Sequence, residues 1–496
     1  MEKTVSLPAK VVQLIITLIR DAPLLQKPRS PFGNRATKPA KLAPYAVVSR
    51  QWQAIVERLI WQHITVSGKG SLDQLKVFTS GGDSWRRARA GYIRRILWSP
   101  EITNRRDLLL HAEKTQGLLP YWYLRRCRSS ILELFELLDA WKDRRASSIE
   151  LSLWLSNSDY LDVGDNDGDI KQEEWKSLSI SRLWQKGQVP NLLHLAEDDM
   201  QNIPASPYIT CFRLHEARDS TVRPSAFFRL LSCFPYVKHV SGGEGRFVPR
   251  GALQALADQR QEVIDHLSLV PGSVEIFTYS VSAQREISLN PACYAANYLS
   301  LHGLDDFSIA FRTFSTRLRE LHLEGVRISS ALFWPVAEEE VNNVKSIYWP
   351  NLEVLTVLEA PPYTADGKWI LDYNPNKDWE GDLDKDSFEP WHYDREYYAL
   401  RGLIKSHDVD RLYESMGLAV RRMLRLRKLR FSFRGEIGER GSHEYLEFRR
   451  DLTTGKAALK ISTEWEYRMA EKVLSTWGLK GEKAKEFRER WSVLLD

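Results

Sequence analysis

At 496 residues, with 43% apolar and 11% aromatic content, the chain is long enough for several cores or one elongated core of stacked units, which excludes a disordered protein. Its 70 Lys and Arg against 65 Asp and Glu leave a formal charge of +5, too small and too scattered to make nucleic acid or a membrane surface the main partner. Cys127, Cys211, Cys233 and Cys293 lie far apart with no C-x-x-C pair, so neither a zinc module nor a disulfide framework is predicted, and a reducing compartment, cytoplasm or nucleus, fits.

In chain order, Ser6-Leu7-Pro8 reads as a helix start, because Ser accepts a hydrogen bond from a first-turn amide and Pro is tolerated there. The helix is predicted to run to about Arg20. Its apolar run Val11 to Ile19 is not read as a secretory signal or membrane span: Gln13 and Thr17 interrupt it, Arg20, Asp21 and Pro23 follow, and it is too short. No other membrane span is predicted. Val11, Leu14, Ile15 and Leu18 form one stripe, and Val12, Ile16 and Ile19 form a second pointing well away from it. A helix apolar nearly all round needs cover on both sides, and the segment before residue 70 is too small to supply it, so one face is expected to await a partner. Residues 22–41 form a basic, proline-rich insert, with Pro23, Pro28, Pro31 and Pro39 among Lys27, Arg29, Arg35 and Lys38, expected to be mobile. A second helical pattern from near Leu42 carries Val48, Trp52, Ile55, Val56 and Leu59, after which Trp61 to Val66 turns extended.

Leu7-Pro8, an apolar first helix, Val47-Val48-Ser49-Arg50-Gln51-Trp52 and Trp61-x-x-Ile64 together resemble the F-box family pattern in order and in several parts. The resemblance implies a small helical domain over 5–66 that binds a Skp-type adaptor and, through it, a cullin ubiquitin ligase. By the same resemblance Leu7, Pro8, Val11, Val12 and Ile15 touch the adaptor, while Val48, Trp52, Ile55 and Leu59 form the domain core. Lys10 stands where the family usually has Glu, which removes a helix-dipole attraction of about 0.3 to 1 kcal/mol and is expected to weaken adaptor binding. The competing reading makes these helices the cap of a larger fold.

Residues 67–90 turn to Gly, Ser and Lys around a short amphipathic stretch, Leu72 to Phe78, and are expected to form a linker. From residue 91 to 496, L-x-x-L-x-L-like pieces recur at Ile264-x-x-Leu267-x-Leu269, Leu318-x-x-Leu321-x-Leu323, Leu352-x-x-Leu355-x-Val357 and Leu426-x-x-Leu429-x-Phe431. Each is predicted to be a strand, with helical stretches such as Pro249 to His266 between. Strands alternating with helices that cannot bury their own apolar sides predict an irregular leucine-rich-repeat-like α/β array after the helical start, an α+β or α/β chain. The spacing is irregular and no piece carries the Asn of regular repeats, so an ordinary α/β domain with leucine-rich strands stays open. Trp85 to Trp98 and the stretch from Met423 to Trp477 are similar to the corresponding segments of a fungal F-box family, which implies no catalytic role.

Asp165, Asp167, Asp169 and Glu174 match part of an EF-hand calcium loop, but Val163 stands at its first position, and a solvated acidic turn is favoured. The acidic loop Asp382 to Asp386, with His392, Asp394 and Glu396, lacks fixed ligand spacing, so no metal site is predicted. Trp379, Trp391, Tyr393, Tyr397 and Tyr398, in a long insertion between repeat strands, form a candidate substrate-contact loop, with burial as the competing reading. The basic clusters at Arg86 to Arg89, Arg94-Arg95, Arg125 to Arg128 and Arg421 to Arg430 alternate with apolar residues and are read as edges of half-buried elements; phosphate recognition is the weaker alternative. No phosphate loop, nucleophile elbow or zincin motif occurs, so neither an enzyme nor a cofactor is predicted. The expected function is that of a substrate-recognition adaptor of an SCF-type ubiquitin ligase; the alternative is a stand-alone interaction scaffold.

Overall fold

The computed structural model describes residues 8, 10–15, 44–45, 48–99, 121–141, 148–154, 203–215, 222–244, 253–281, 296–335, 347–373, 401–433, 445–462, 467–490 and 492–495. Their dominant element is a mixed sheet whose strands follow one another in strict chain order. It runs β1 (His63–Ser67), β2 (Arg95–Ser99), β3 (Ile149–Trp154), β4 (Ile209–His215), β5 (His239–Glu244), β6 (Ile276–Val281), β7 (Glu320–Glu324) and β8 (Val354–Ala360). A separate antiparallel pair, β9 (Leu371–Tyr373) and β10 (Arg401–Ile404), interrupts the series. It resumes with β11 (Lys428–Phe433), β12 (Tyr445–Arg450), β13 (Ala457–Ser462) and β14 (Ser492–Leu495). Pairing is parallel from β1 to β8 and from β8 to β11, then antiparallel from β11 to β14.

Helices supply the crossovers: α3 (Gly68–Thr79), α4 (Ser84–Tyr92), α5 (Tyr121–Asp139), α6 (Pro224–Ser232), α7 (Leu253–His266), α8 (Asp306–Ser315) and α9 (Ser406–Val420). Two more, α10 (Glu471–Thr476) and α11 (Glu482–Arg490), precede β14. Neighbours in sequence are neighbours in space, with α6 against α7, α7 against α8 and α9 against α10. Preceding all of these are a helical stretch α1 (10–15) and α2 (Arg50–Ile60).

The side-chain period of two sorts each strand into an apolar and a polar face. Ile64, Ile96, Leu151, Phe212, Val240 and Phe277 stand in register across the first six strands. Leu321, Leu355, Leu429, Phe448, Leu459 and Val493 continue the same row to the last strand. A second row, from Val66 and Trp98 to Leu446 and Ile461, lies beside it, and all these side chains belong to one continuous core. Each large buried apolar side chain contributes about 1.5–3 kcal/mol. Gly242 leaves a gap in the second row because the Phe227 ring of α6 fills it; a Cβ there would lie 2.3 Å from that ring.

Six of the parallel strands are each led in by one buried apolar residue three positions before the first-row residue: Ile93, Val237, Val274, Leu318, Leu352 and Leu426. Between lead-in and strand, the backbone is stitched to the preceding unit. Glu275 and Ile276 donate to the Lys238 carbonyl, Arg319 and Glu320 to that of Glu275, Glu353 and Val354 to that of Arg319, and Arg427 and Lys428 to that of Glu353. The repeated bond satisfies main-chain groups at the strand starts, which a solvent-poor edge would otherwise leave exposed to desolvation.

Three of the four leucine-rich pieces form strands, β7, β8 and β11. Ile264-x-x-Leu267-x-Leu269 does not: Ile264 ends α7 and Leu267–Leu269 is a 3-10 turn. That apolar spacing also suits the last turns of an amphipathic helix. The strand lies further on, where Val274-x-x-Phe277-x-Tyr279 carries the same pattern in other residues. The expected linker 67–90 is also corrected: it holds α3 and α4, and their Leu72, Leu75 and Ala90 join the main core. The second helix begins at Arg50 rather than near Leu42, because Ser49 caps it by accepting a hydrogen bond from the Trp52 amide at 3.2 Å.

Candidate functional site

Three surfaces have the chemistry of recognition. The first is the N-terminal helix pair. Val12 of α1 and Val56 of α2 are buried together, with Tyr45, Trp52, Ile55 and Leu59 partly buried around them, in a cluster separate from the main core. The pair is fastened to the array by Glu57, which meets Arg89 of α4 at 2.9 Å; that guanidinium also lies over the Trp61 and Trp85 rings. Opposite Val12, the same short helix leaves Val11 39% and Leu14 60% exposed. Pro8 and Lys10 are exposed and Ile15 is half-buried, while Leu7 lies outside the described residues. Val48, expected in the domain core, is instead 59% exposed. It precedes the Ser49 cap, so it lies off the helical stripe that carries Trp52, Ile55, Val56 and Leu59.

The second surface is the polar face of the sheet. Glu150 bridges Arg95 at 2.7 Å and Arg213 at 3.0 Å across three adjacent strands. Further along, a His322 ring nitrogen lies 2.7 Å from the Thr356 hydroxyl and Lys460 lies over the Tyr445 ring. Burial pushes the Cys211 thiol on this face up, an effect partly offset by Arg213, so it is no activated nucleophile.

The third is a crevice of about 360 Å³ at the carboxyl ends of β7 and β8, where loops leave parallel strands and ligand sites commonly form. Its floor is apolar, from Ile328, Ala331, Ala365, Ile370 and Leu412. Asp366 and Lys368, 2.7 Å apart, stand on one wall; Asp408 and Arg411, on one face of α9, stand on another. Ion pairing and hydrogen bonds from Lys368 and Thr364 overcome burial to hold the Asp366 carboxyl below the usual carboxylate range. Asp305 anchors the rim. Burial would push its carboxyl up, but the Arg260 charge and hydrogen bonds from Ser308, Arg260 and Ser329 hold it below the usual range. Arg260 meets it at 2.8 Å, lies over the Phe307 and Tyr298 rings, and donates to the Arg327 carbonyl at 2.9 Å.

These contacts tie the walls together. The Tyr298 amide donates to the Ala365 carbonyl, the Lys405 amide to that of Ile370, and the Arg327 guanidinium to that of Ala296. At the end of β8, Glu359 adopts a left-handed conformation, φ 52°, beside an irregularity in the β8–β11 pairing, and there the chain turns toward Pro361. A non-glycine residue held this way costs about 1–3 kcal/mol, a strain that clusters at functional sites. None of this crevice was read from the sequence. Its only local signals are Pro361-Pro362 and the turn pair Asp366-Gly367.

Trp379, Trp391, Tyr393 and Tyr397, and the calcium candidates Asp165, Asp167, Asp169 and Glu174, lie outside the described residues. The β9–β10 pair holds both ends of the segment that carries those aromatics, beside the crevice residue Ile370. Among the basic clusters, Arg421 donates to the Ser475 carbonyl, Arg427 pairs with Glu353 and Arg430 lies over Tyr445, so these three are engaged in the framework. Among the described residues no group of three or more His, Cys, Asp or Glu is placed to hold a metal ion, and no helix is long and apolar enough to cross a membrane. Comparison with protein-family models and with curated proteins finds no match.

Proposed function

We propose that the chain is the substrate-recognition adaptor of an SCF-type cullin ubiquitin ligase, with an F-box at its N-terminus and a leucine-rich-repeat-like array that captures a protein substrate. The observation that carries the reading is α1: one face packs on Val56 while Val11 and Leu14, on the other, meet solvent. Apolar side chains left open on a helix whose own core holds two fully buried residues favour a protein partner over solvent. The resemblance to the F-box pattern in order, from Leu7-Pro8 to Trp61-x-x-Ile64, supports a Skp-type adaptor as that partner. The sequential parallel sheet supports the array reading, since stacking each unit on the last buries what no unit can bury alone.

Co-expression with a Skp-type adaptor tests this. A one-to-one complex on size-exclusion chromatography, lost in Val11→Asp/Leu14→Asp, is the expected result; both side chains are solvent-exposed, so the change spares the fold. Lys10, exposed in the first turn of α1, favours a second reading in which the chain is a stand-alone scaffold. Absence of a complex at micromolar concentration selects it.

A further inference from the structure

We infer that the crevice at the carboxyl ends of β7 and β8 binds an extended peptide that inserts one large apolar side chain between flanking residues of opposite charge. This rests on the reading of the array as a substrate-capturing surface and assigns that role to a place. At about 360 Å³ the crevice falls within the roughly 300–1,000 Å³ of typical ligand pockets. Its apolar floor matches an aliphatic or aromatic anchor, the side-chain type that dominates binding energy at protein interfaces.

The mouth sets the flanks. Asp366 and Lys368 neutralise one another. Asp408 shares the Lys368 charge with Asp366 and otherwise has a distant contact with His407, at 3.8 Å, and Arg411 makes no ion pair or side-chain hydrogen bond among the described residues. These two charges, three residues apart on the face of α9 that also supplies Leu412 to the floor, are the available ones. A basic residue of the peptide meets Asp408 and an acidic one meets Arg411. Charges of both signs do not suit a polyanion, which needs a continuous basic track. The site is also pre-organised: segments 296–305, 325–332, 361–370 and 405–412 are tied to one another or to the framework by the Arg260–Asp305 pair and the main-chain bonds described above. Rigid walls reduce the ordering penalty that a peptide site on free loops would carry.

The test is selection of a random peptide display library on the full chain, followed by fluorescence polarisation with the enriched peptides. The expected consensus is one large apolar residue with an acidic and a basic neighbour. Ala331→Trp, which fills the floor, is expected to weaken binding about tenfold or more. Arg411→Glu, an exposed change that spares the fold, is expected to replace the acidic flank of the consensus with a basic one. Failure to enrich any sequence, or enriched peptides that bind wild type and Arg411→Glu alike, overturns the assignment. Adaptor binding is measured in the same variants: peptide capture without adaptor binding removes the ligase reading and keeps the crevice, and adaptor binding without peptide capture does the reverse.

Discussion

The N-terminal helix pair and the sheet are built to opposite specifications. Val12 and Val56 are the only fully buried side chains of the pair among the described residues, and Val11, Leu14 and Val48 stand open beside them. In the sheet, an apolar row passes from Ile64 to Val493 with one side chain from every strand, and helices from α3 to α11 add to the same core. The sheet thus shares one continuous core, whereas among the described residues the pair has a separate, small one. That difference is what the proposed adaptor role requires of the two regions.

The sharpest way to separate the two is to damage one and watch the other. Phe277→Ala empties the middle of the first apolar row, where the ring packs on Tyr279, Phe311 and Phe314. It is expected to destabilise the array by about 3–5 kcal/mol in denaturant unfolding, without changing exchange of the α1 and α2 amides in the native state. A loss confined to less than about 1 kcal/mol would mean that the row is not cooperative.

Arg260→Met is next. It strips the partner from the buried Asp305 carboxylate, and breaking such a pair costs about 3–5 kcal/mol at neutral pH. The pH dependence gives its signature. In the wild type the Asp305 carboxyl is held low, so its contribution is complete above the unfolded value of about 3.9 and is lost as pH falls through the native one. In the variant the Arg260 charge and hydrogen bond are gone while those of Ser308 and Ser329 remain, so the carboxyl titrates higher than in the wild type and the deficit is expected to shrink on acidification. A deficit independent of pH, followed by denaturant unfolding from neutrality to about pH 2, would show that lost packing rather than charge is responsible.

Ser49→Ala has the smallest expected effect. It removes the cap of α2 and costs about 1 kcal/mol, visible as faster hydrogen exchange in α2 alone and not in the melting of the array. A change that spread into the sheet would make the two regions one cooperative unit.

How much of this was legible depends on which residues carry the pattern. Leu318, Leu352 and Leu426 lead in strands spelled in leucine, valine and phenylalanine, so β7, β8 and β11 are legible in the sequence. The same pattern at Ile93, Val237 and Val274 uses Ile, Trp, Val, Gly, Phe and Tyr, so a search for leucine passes over it. Gly242 breaks the count altogether, because the space for its side chain is filled by Phe227, which precedes it in a different element. The crevice is a stronger case. Its residues run from Leu299 to Leu412 and share no local spacing, since three crossovers bring them together. Asp305 and Arg260 are unremarkable in sequence; only the fold places them 2.8 Å apart, with the guanidinium over two aromatic rings.

Under the proposed function, α1 and α2 are completed by a partner and the sheet is not. Hydrogen exchange of the full chain, with and without a purified Skp-type adaptor, tests it directly. Strong protection of residues 10–15 and 50–60 on adding adaptor, with no change in β2 to β13, is the expected result. Unchanged exchange at 10–15, or protection spread evenly through the sheet, would contradict it.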